Sequence, residues 1–325
     1  MPDLILTGLA GDSPIGVMSA LGLFRLLAAT RERSSLRLAW STHDPFRPIL
    51  VSEEPLTIET LIARLTEHLD NSMTRFDSWV SRTKALSAKE FHSWAATGLA
   101  TDAAWEFAVS SWVAAFGAEA AQSSEEKFVA SPFDTSFAKQ TFPGDFRQTI
   151  ETLRANHELT VESLREAIVG PWHYKDGQHS MGWDPATVRV HAHSAEAPTK
   201  SKAQGVRGAV WLAFESLPLF PCFPTGYGVL PRAFSLRNRE VEFCWPIWDV
   251  PVGLGGLKSL LGLKLVTSAK PDTQDMRARG IRAVFASRRA RSSKYAVYFE
   301  PARLKAALVD RPAVAVNRQF TMAGG

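Results

Sequence analysis

The first expectations come from the spacing of apolar positions. Leu4–Leu9 reads L-I-L-T-G-L, a short strand, and the turn A-G-D-S-P-I-G follows it. Asp12 or Ser13 suits a helix N-cap there. Pro14 fits the first helical position, where a missing N–H costs nothing. Ile15, Met18, Leu21, Leu23, Phe24, Leu26 and Leu27 surround the next segment on nearly every side, so a helix to about Thr30 should be buried against a sheet. Two further short strands are expected at R-L-A-W (37–40) and Ile49–Val51, around the turn-rich T-H-D-P-F-R-P. Leu56 to about Leu69 has the period of an amphipathic helix. Residues 85–121 hold two helical stretches, one of them Ala103–Ala121. Gly144–Ile168 reads as helix with a break near Asn156–His157.

The texture changes after Gly170, where Pro, Gly and Trp become frequent and apolar runs shorten. V-R-V-H-A-H (188–193) and Y-A-V-Y-F (295–299) read as strands, and W-P-I-W-D-V-P-V-G and A-V-F-A-S are further short apolar runs. Gln204–Leu217 should be a helix stopped by Pro218, and Gly256–Leu265 a second one. Arg311–Gly325 has the composition of a loose tail. The expected fold class is mixed α+β, with a helix-rich N-terminal part and a strand- and loop-rich basic C-terminal part. The expected division is 1–140 and 141–325, with one continuous domain as the alternative.

Charge sharpens that division. Residues 1–188 carry 16 Lys and Arg against 24 Asp and Glu, a net of −8. Residues 189–325 carry 21 against 9, a net of +12. An acidic front and a basic back predict one face that meets a polyanion. Cys222 and Cys244, the two cysteines, match no zinc spacing and predict buried free thiols. The N-terminus lacks a basic leader, and the longest apolar run, Pro14–Ala29, is interrupted by Arg25; a cytoplasmic protein without a membrane span is expected.

The densest chemistry is a run of six arginines in fifteen residues: Arg277, Arg279, Arg282, Arg288, Arg289 and Arg291. Guanidinium groups so close repel one another unless an anion sits among them, and phosphate matches their fork geometry. Lys200, Lys202 and Arg207 flank a second polar, basic loop, and Lys258, Lys264, Lys270, Lys294 and Arg303 add to the field. These residues are the candidate nucleic-acid contacts. Ile281–Ala286 between the arginines is apolar enough for a core strand, in which case the run splits into two patches at opposite ends. A helix or loop face in solvent would explain the same charges.

Other candidates carry less. Gly8, Gly11 and Gly16 lie between a strand and a helix, but match neither G-x-G-x-x-G nor the P-loop, so a tight turn is expected. His173, His179, His191 and His193 cluster in sequence, with His191 and His193 on one face of an expected strand. A metal or acid/base site there would make the chain an enzyme. The residues match no metal or nucleophile motif, and a polar strand face explains them as well. No catalytic residue, metal or cofactor is expected.

Two regions resemble a known family. L-T-G-L-A-G-D-S-P-I-G-V-M-S-A-L-G-L-F-R-L-L is similar to the opening found in subunits of CRISPR interference complexes. G-W-D-P (182–185), W-L-A-F-E-S-L-P-L-F-P (211–221) and F-C-W-P-I-W (243–248) resemble segments of the large-subunit-like proteins of type I-G (formerly I-U) CRISPR systems. The resemblance spans about a third of the chain and rests mostly on apolar residues. It implies a non-catalytic subunit of an RNA-guided antiviral surveillance complex, with guide RNA, target DNA and other subunits as partners. It carries over no binding residue. A pure scaffold, whose arginines meet an acidic protein or the chain's own acidic half, is the remaining alternative.

Overall fold

The computed structural model describes residues 3–29, 35–70, 86–100, 109–121, 128–135, 141–177, 179–187, 204–226, 228–292 and 296–308. The expected strand at 188–193, the tail at 311–325, and Lys200, Lys202, His191 and His193 lie outside them.

A three-stranded antiparallel sheet opens the chain. β1 (Asp3–Ile5) and β2 (Arg37–Trp40) pair with the two sides of β3 (Pro48–Val51). β1 ends at Ile5, earlier than the apolar run suggests, because Leu6–Leu9 form the turn and point their leucines into the core. The helix α1 (Pro14–Ala28) then starts at Ser13, whose Oγ accepts from Gly16 N. Every residue of α1 from Pro14 to Leu27 is buried.

Five helices follow among the described residues: α2 (Ile58–Asp70), α3 (Ala88–Leu99), α4 (Val109–Phe116), α5 (Phe142–Arg154) and α6 (His157–Val169). The expected break at Asn156 is real: its side chain accepts from Leu159 N and caps α6. Of the expected helix Ala103–Ala121, the described part is α4 alone, and it ends before Gly117. The chain then reaches α7 (Arg207–Glu215), which crosses α1.

That crossing is close because small residues line it. A Cβ on Gly22 would lie 1.8 Å from Leu212 O, and one on Gly208 would lie 2.3 Å from Ser163 O of α6. Ser19 Oγ donates to Ala209 O at 2.8 Å across the same gap. At its far end Arg25 meets Glu215 at 3.2 Å, both fully buried, with the guanidinium carbon 5.6 Å from the Trp112 ring centroid.

The C-terminal part is built on a second antiparallel sheet. Its order is β10 (Arg303–Ala307), β8 (Ile281–Ser292), β7 (Glu240–Trp248), β6 (Phe234–Arg237), and β9 (Ala296–Phe299) pairs the far half of β8. β4 (Cys222–Thr225) and β5 (Gly228–Pro231) make a separate two-stranded ribbon. Pro246 sits inside β7 without breaking it. Cys244 N bonds Ala233 O on the β6 side, so the ring of Pro246 faces that same side, where the β6 pairing has already stopped at Phe243.

The inner sheet face, with Phe243, Trp245, Phe285 and Phe299, joins aromatic residues around Phe133 in the main core. The outer face, with Cys244, Val284 and Ala286, is covered by the short helices α8 (Leu254–Leu261), α9 (Lys264–Thr267) and α10 (Thr273–Ala278) through Leu260, Leu265, Val266 and Met276. The two sheets are tied by Trp248 Nε1 to Leu38 O at 2.8 Å and a bridge between Leu38 and Val252, and Trp245 Nε1 donates to Gly11 O in the turn before α1 at 2.7 Å. The main hydrophobic core holds residues from Leu6 to Phe299. The architecture is mixed α+β. Among the described residues no helix is long and apolar enough to cross a membrane.

Candidate nucleic-acid interface

The twelve-residue strand β8 runs straight through the arginine block. Ile281 and Ala283–Ser287 are buried, so the apolar piece is core. Arg277 and Arg279 lie before one end of it, Arg288, Arg289 and Arg291 at the other, and the block is two patches. Ten residues of strand rise separate Ile281 from Arg291, roughly 33 Å.

The two patches pair differently. Arg279 Nε binds Asp275 Oδ1 at 2.7 Å, one turn back along α10, and Arg282 Nε lies 3.2 Å from Asp249 Oδ2. Arg288 grips Glu300 with two bonds, at 2.9 and 2.6 Å, and reaches Glu240 at 2.8 Å. Those bonds hold the guanidinium further above its ordinary pKa and the Glu300 carboxyl below its own. Arg289 is half-buried and donates to the carbonyls of Pro132 and Asp134 at 2.8 and 3.1 Å, which ties the 131–135 loop to β8. Burial lowers its pKa, and the Asp134 charge opposes that shift. Arg277 and Arg291 are exposed, and their side chains make no hydrogen bond or ion pair among the described residues.

Arg207 is placed elsewhere. It opens α7 and holds Asp176 by two bonds, at 2.7 and 2.5 Å, beside the bridge between Asp176 and Gly205. That pair fixes the approach to α7.

Charge and partners across the strand-rich part give a simple balance. Residues 228–308 carry fifteen Lys and Arg against six Asp and Glu, a net of +9. Glu240 and Glu300 hold Arg288, Glu242 holds Arg303 at 2.5 Å, Asp249 holds Arg282 and Asp275 holds Arg279. The sixth, Asp272, caps α10 by accepting from Asp275 N at 2.7 Å. Every carboxylate of this part is therefore engaged internally. Arg239, Lys264 and Lys270 join Arg277 and Arg291 as exposed cations with no such partner among the described residues. Arg237 and Lys305 reach only uncharged groups, at Thr267 O, Val266 O and Cys244 Sγ.

No family model matches this chain. No curated protein and no solved structure matches it either.

Three apolar segments, 6–27, 211–221 and 243–248, converge in space. α1 of the first segment crosses α7 of the second, Arg25 of one pairs with Glu215 of the other, and Trp245 of the third bonds Gly11 of the first. Trp183, in G-W-D-P, is fully buried and donates from Nε1 to Phe133 O at 3.0 Å.

The histidine region shows local bonding where it is described. His173 N and ring face Glu166 Oε1, and His179 Nδ1 accepts from Met181 N at 2.8 Å. Burial raises both the Asp184 carboxyl and the Tyr174 phenol, and the Asp184 charge and its hydrogen bond with that phenol raise the phenol further. Among the described residues no group of three or more His, Cys, Asp or Glu stands where it could hold a metal.

Arg232, Arg237, Arg239 and Lys305 are cations that the sequence pattern did not single out. For Arg237 and Arg239 a signal was available: F-S-L-R-N-R-E-V-E-F alternates on both sides of a two-residue turn, which is a hairpin with arginines at its tip.

Proposed function

We propose that this chain is a non-catalytic nucleic-acid-binding subunit of an RNA-guided CRISPR surveillance complex, which contacts nucleic-acid backbone through its C-terminal sheet and docks on neighbouring subunits. The observation that carries the binding is the charge balance: all six carboxylates of residues 228–308 are engaged inside the fold, and Arg237, Arg239, Lys264, Lys270, Arg277 and Arg291 are exposed with no carboxylate partner among the described residues. A polyanion supplies what those cations lack, and releases its own counterions on binding. The resemblance of the interlocking α1, α7 and β7 segments to interference-complex subunits supports the assignment to such a complex.

The pairing pattern selects the residues for the test. Arg288 and Arg289 hold the fold, so their removal confuses binding with folding. Arg277 and Arg291 have no internal partner among the described residues, so Arg277→Glu and Arg291→Glu are the variants to use. Binding of labelled single- and double-stranded oligonucleotides, measured across a salt series, should weaken in the double variant while its melting temperature holds. The log–log salt slope should fall by about 0.7–0.9 for each phosphate the variant no longer neutralises. A wild-type chain that binds neither nucleic acid at low salt overturns the reading.

A further inference from the structure

The ribbon β4–β5 has two unlike faces. Cys222, Val229 and Pro231 are buried, with Cys222 and Val229 packed on Ala121. Cross-strand pairing puts Phe223 opposite Leu230 on the other face, and Arg232 N bonds Pro221 O one step further along the same ladder. Phe223, Leu230 and Arg232 therefore share one side, and Phe223 is 52 % exposed.

Cations continue from that side. Arg232 is half-buried and, among the described residues, its guanidinium reaches only Leu219 O, at 3.5 Å. Its Nε lies 4.0 Å from where a Cβ on Gly262 would stand, which places it at the start of α9. Lys264 is exposed on α9 itself. Arg237 donates to Thr267 O at the helix's other end, at 3.0 Å. An exposed phenyl face thus lies at the head of three cations that have no carboxylate partner among the described residues.

We infer that this surface is a single-strand site, in which an unpaired base stacks on Phe223 and the following phosphates lie along Arg232, Lys264 and Arg237. The inference rests on the nucleic-acid reading proposed for this chain and adds the class of ligand and its place. Stacking needs a free base face, which a duplex hides and a single strand offers. An acidic protein would satisfy the cations but has no use for an aromatic face at their head. Arg232 favours an anion further, because a partly desolvated guanidinium with only a carbonyl partner gains most from a charge brought from outside.

The test uses the full chain, labelled oligo-dT, a duplex of equal length, and polyglutamate as competitor. Oligo-dT should bind more tightly than the duplex. Phe223→Ala and Phe223→Leu should each weaken oligo-dT about tenfold and leave the duplex unchanged, while Phe223→Trp keeps or improves single-strand binding. Arg232→Ala, Arg237→Ala and Lys264→Ala together should lower the single-strand salt slope by about 2. Phe223 is on the surface, so unchanged melting curves should accompany its variants. Wild-type affinity in both Phe223→Ala and Phe223→Leu overturns the site and leaves the nucleic-acid reading standing. Polyglutamate that binds as tightly as oligo-dT overturns the site in favour of an acidic partner. Absence of binding to either nucleic acid overturns the broader reading itself.

Discussion

Arg25 and Glu215 show what a single pair of residues decides. Both are fully buried, and each charge stands against the other out of water. Glu215→Ala should destabilise the protein by about 3–5 kcal/mol, because the buried guanidinium loses the carboxylate beside it. Arg25→Met with Glu215→Leu should recover most of that stability, and denaturant melts of the single and double variants measure both. Asp145 supplies a pH-dependent case. Burial and the neighbouring Asp134 raise its pKa to about 6, against an accepted bond from Thr141 N. The proton is thus held more tightly in the folded state than in the unfolded chain. The contribution to stability is full below about pH 4 and is lost as pH rises through about 6. Asp145→Asn should remove that decline, seen as a flatter stability profile between pH 4 and 7 in chemical denaturation.

At the level of secondary structure, the hairpin between β6 and β7 sets local cost against charge. Asn238 and Arg239 have φ of 50° and 66°, the pattern of a type I′ turn, where glycine is the usual second residue. Arginine there costs about 1 kcal/mol of backbone strain. Arg239→Gly should therefore raise stability by about that amount and yet weaken nucleic-acid binding. Thermal melts and the same oligonucleotide titrations check the two effects, and a variant gaining in both would remove Arg239 from the interface. β8 shows a related division. Its inner half is fixed by burial of Ala283 and Phe285, and its outer half by pairing with β9, so six arginines close in sequence end as two separated patches.

For the protein as a whole, the question is whether one polyanion touches both patches. Arg291 stands roughly 33 Å of strand rise from Ile281, the end of β8 that Arg277 precedes in the chain. If both contact one ligand, Arg277→Glu and Arg291→Glu should lower affinity additively for long oligonucleotides, since distant sites couple weakly. For short oligonucleotides one of the two should have no effect. Measured affinities as a function of oligonucleotide length decide this.

Much of the architecture was legible in the chain. The buried helix at Pro14, the break at Asn156, the helix before Pro218 and the core strand at Ile281–Ala286 all follow from local period and capping, which act within a few residues. The mixed α+β class follows from the same local signals, and the surplus of cations in the C-terminal part follows from composition. Partner choice was not legible, because it depends on residues brought together from far apart: Glu300 and Glu240 on Arg288, Asp176 on Arg207, Asp249 on Arg282. β4, β5, β6 and β10 escaped for a similar reason, since a four- or five-residue strand is stabilised by its neighbour across the ladder more than by its own composition. Local chemistry thus sets how much positive charge this protein carries and on which part of the chain. Which arginines hold the fold, and which remain for a ligand, depends on carboxylates and carbonyls that only folding brings within reach of them.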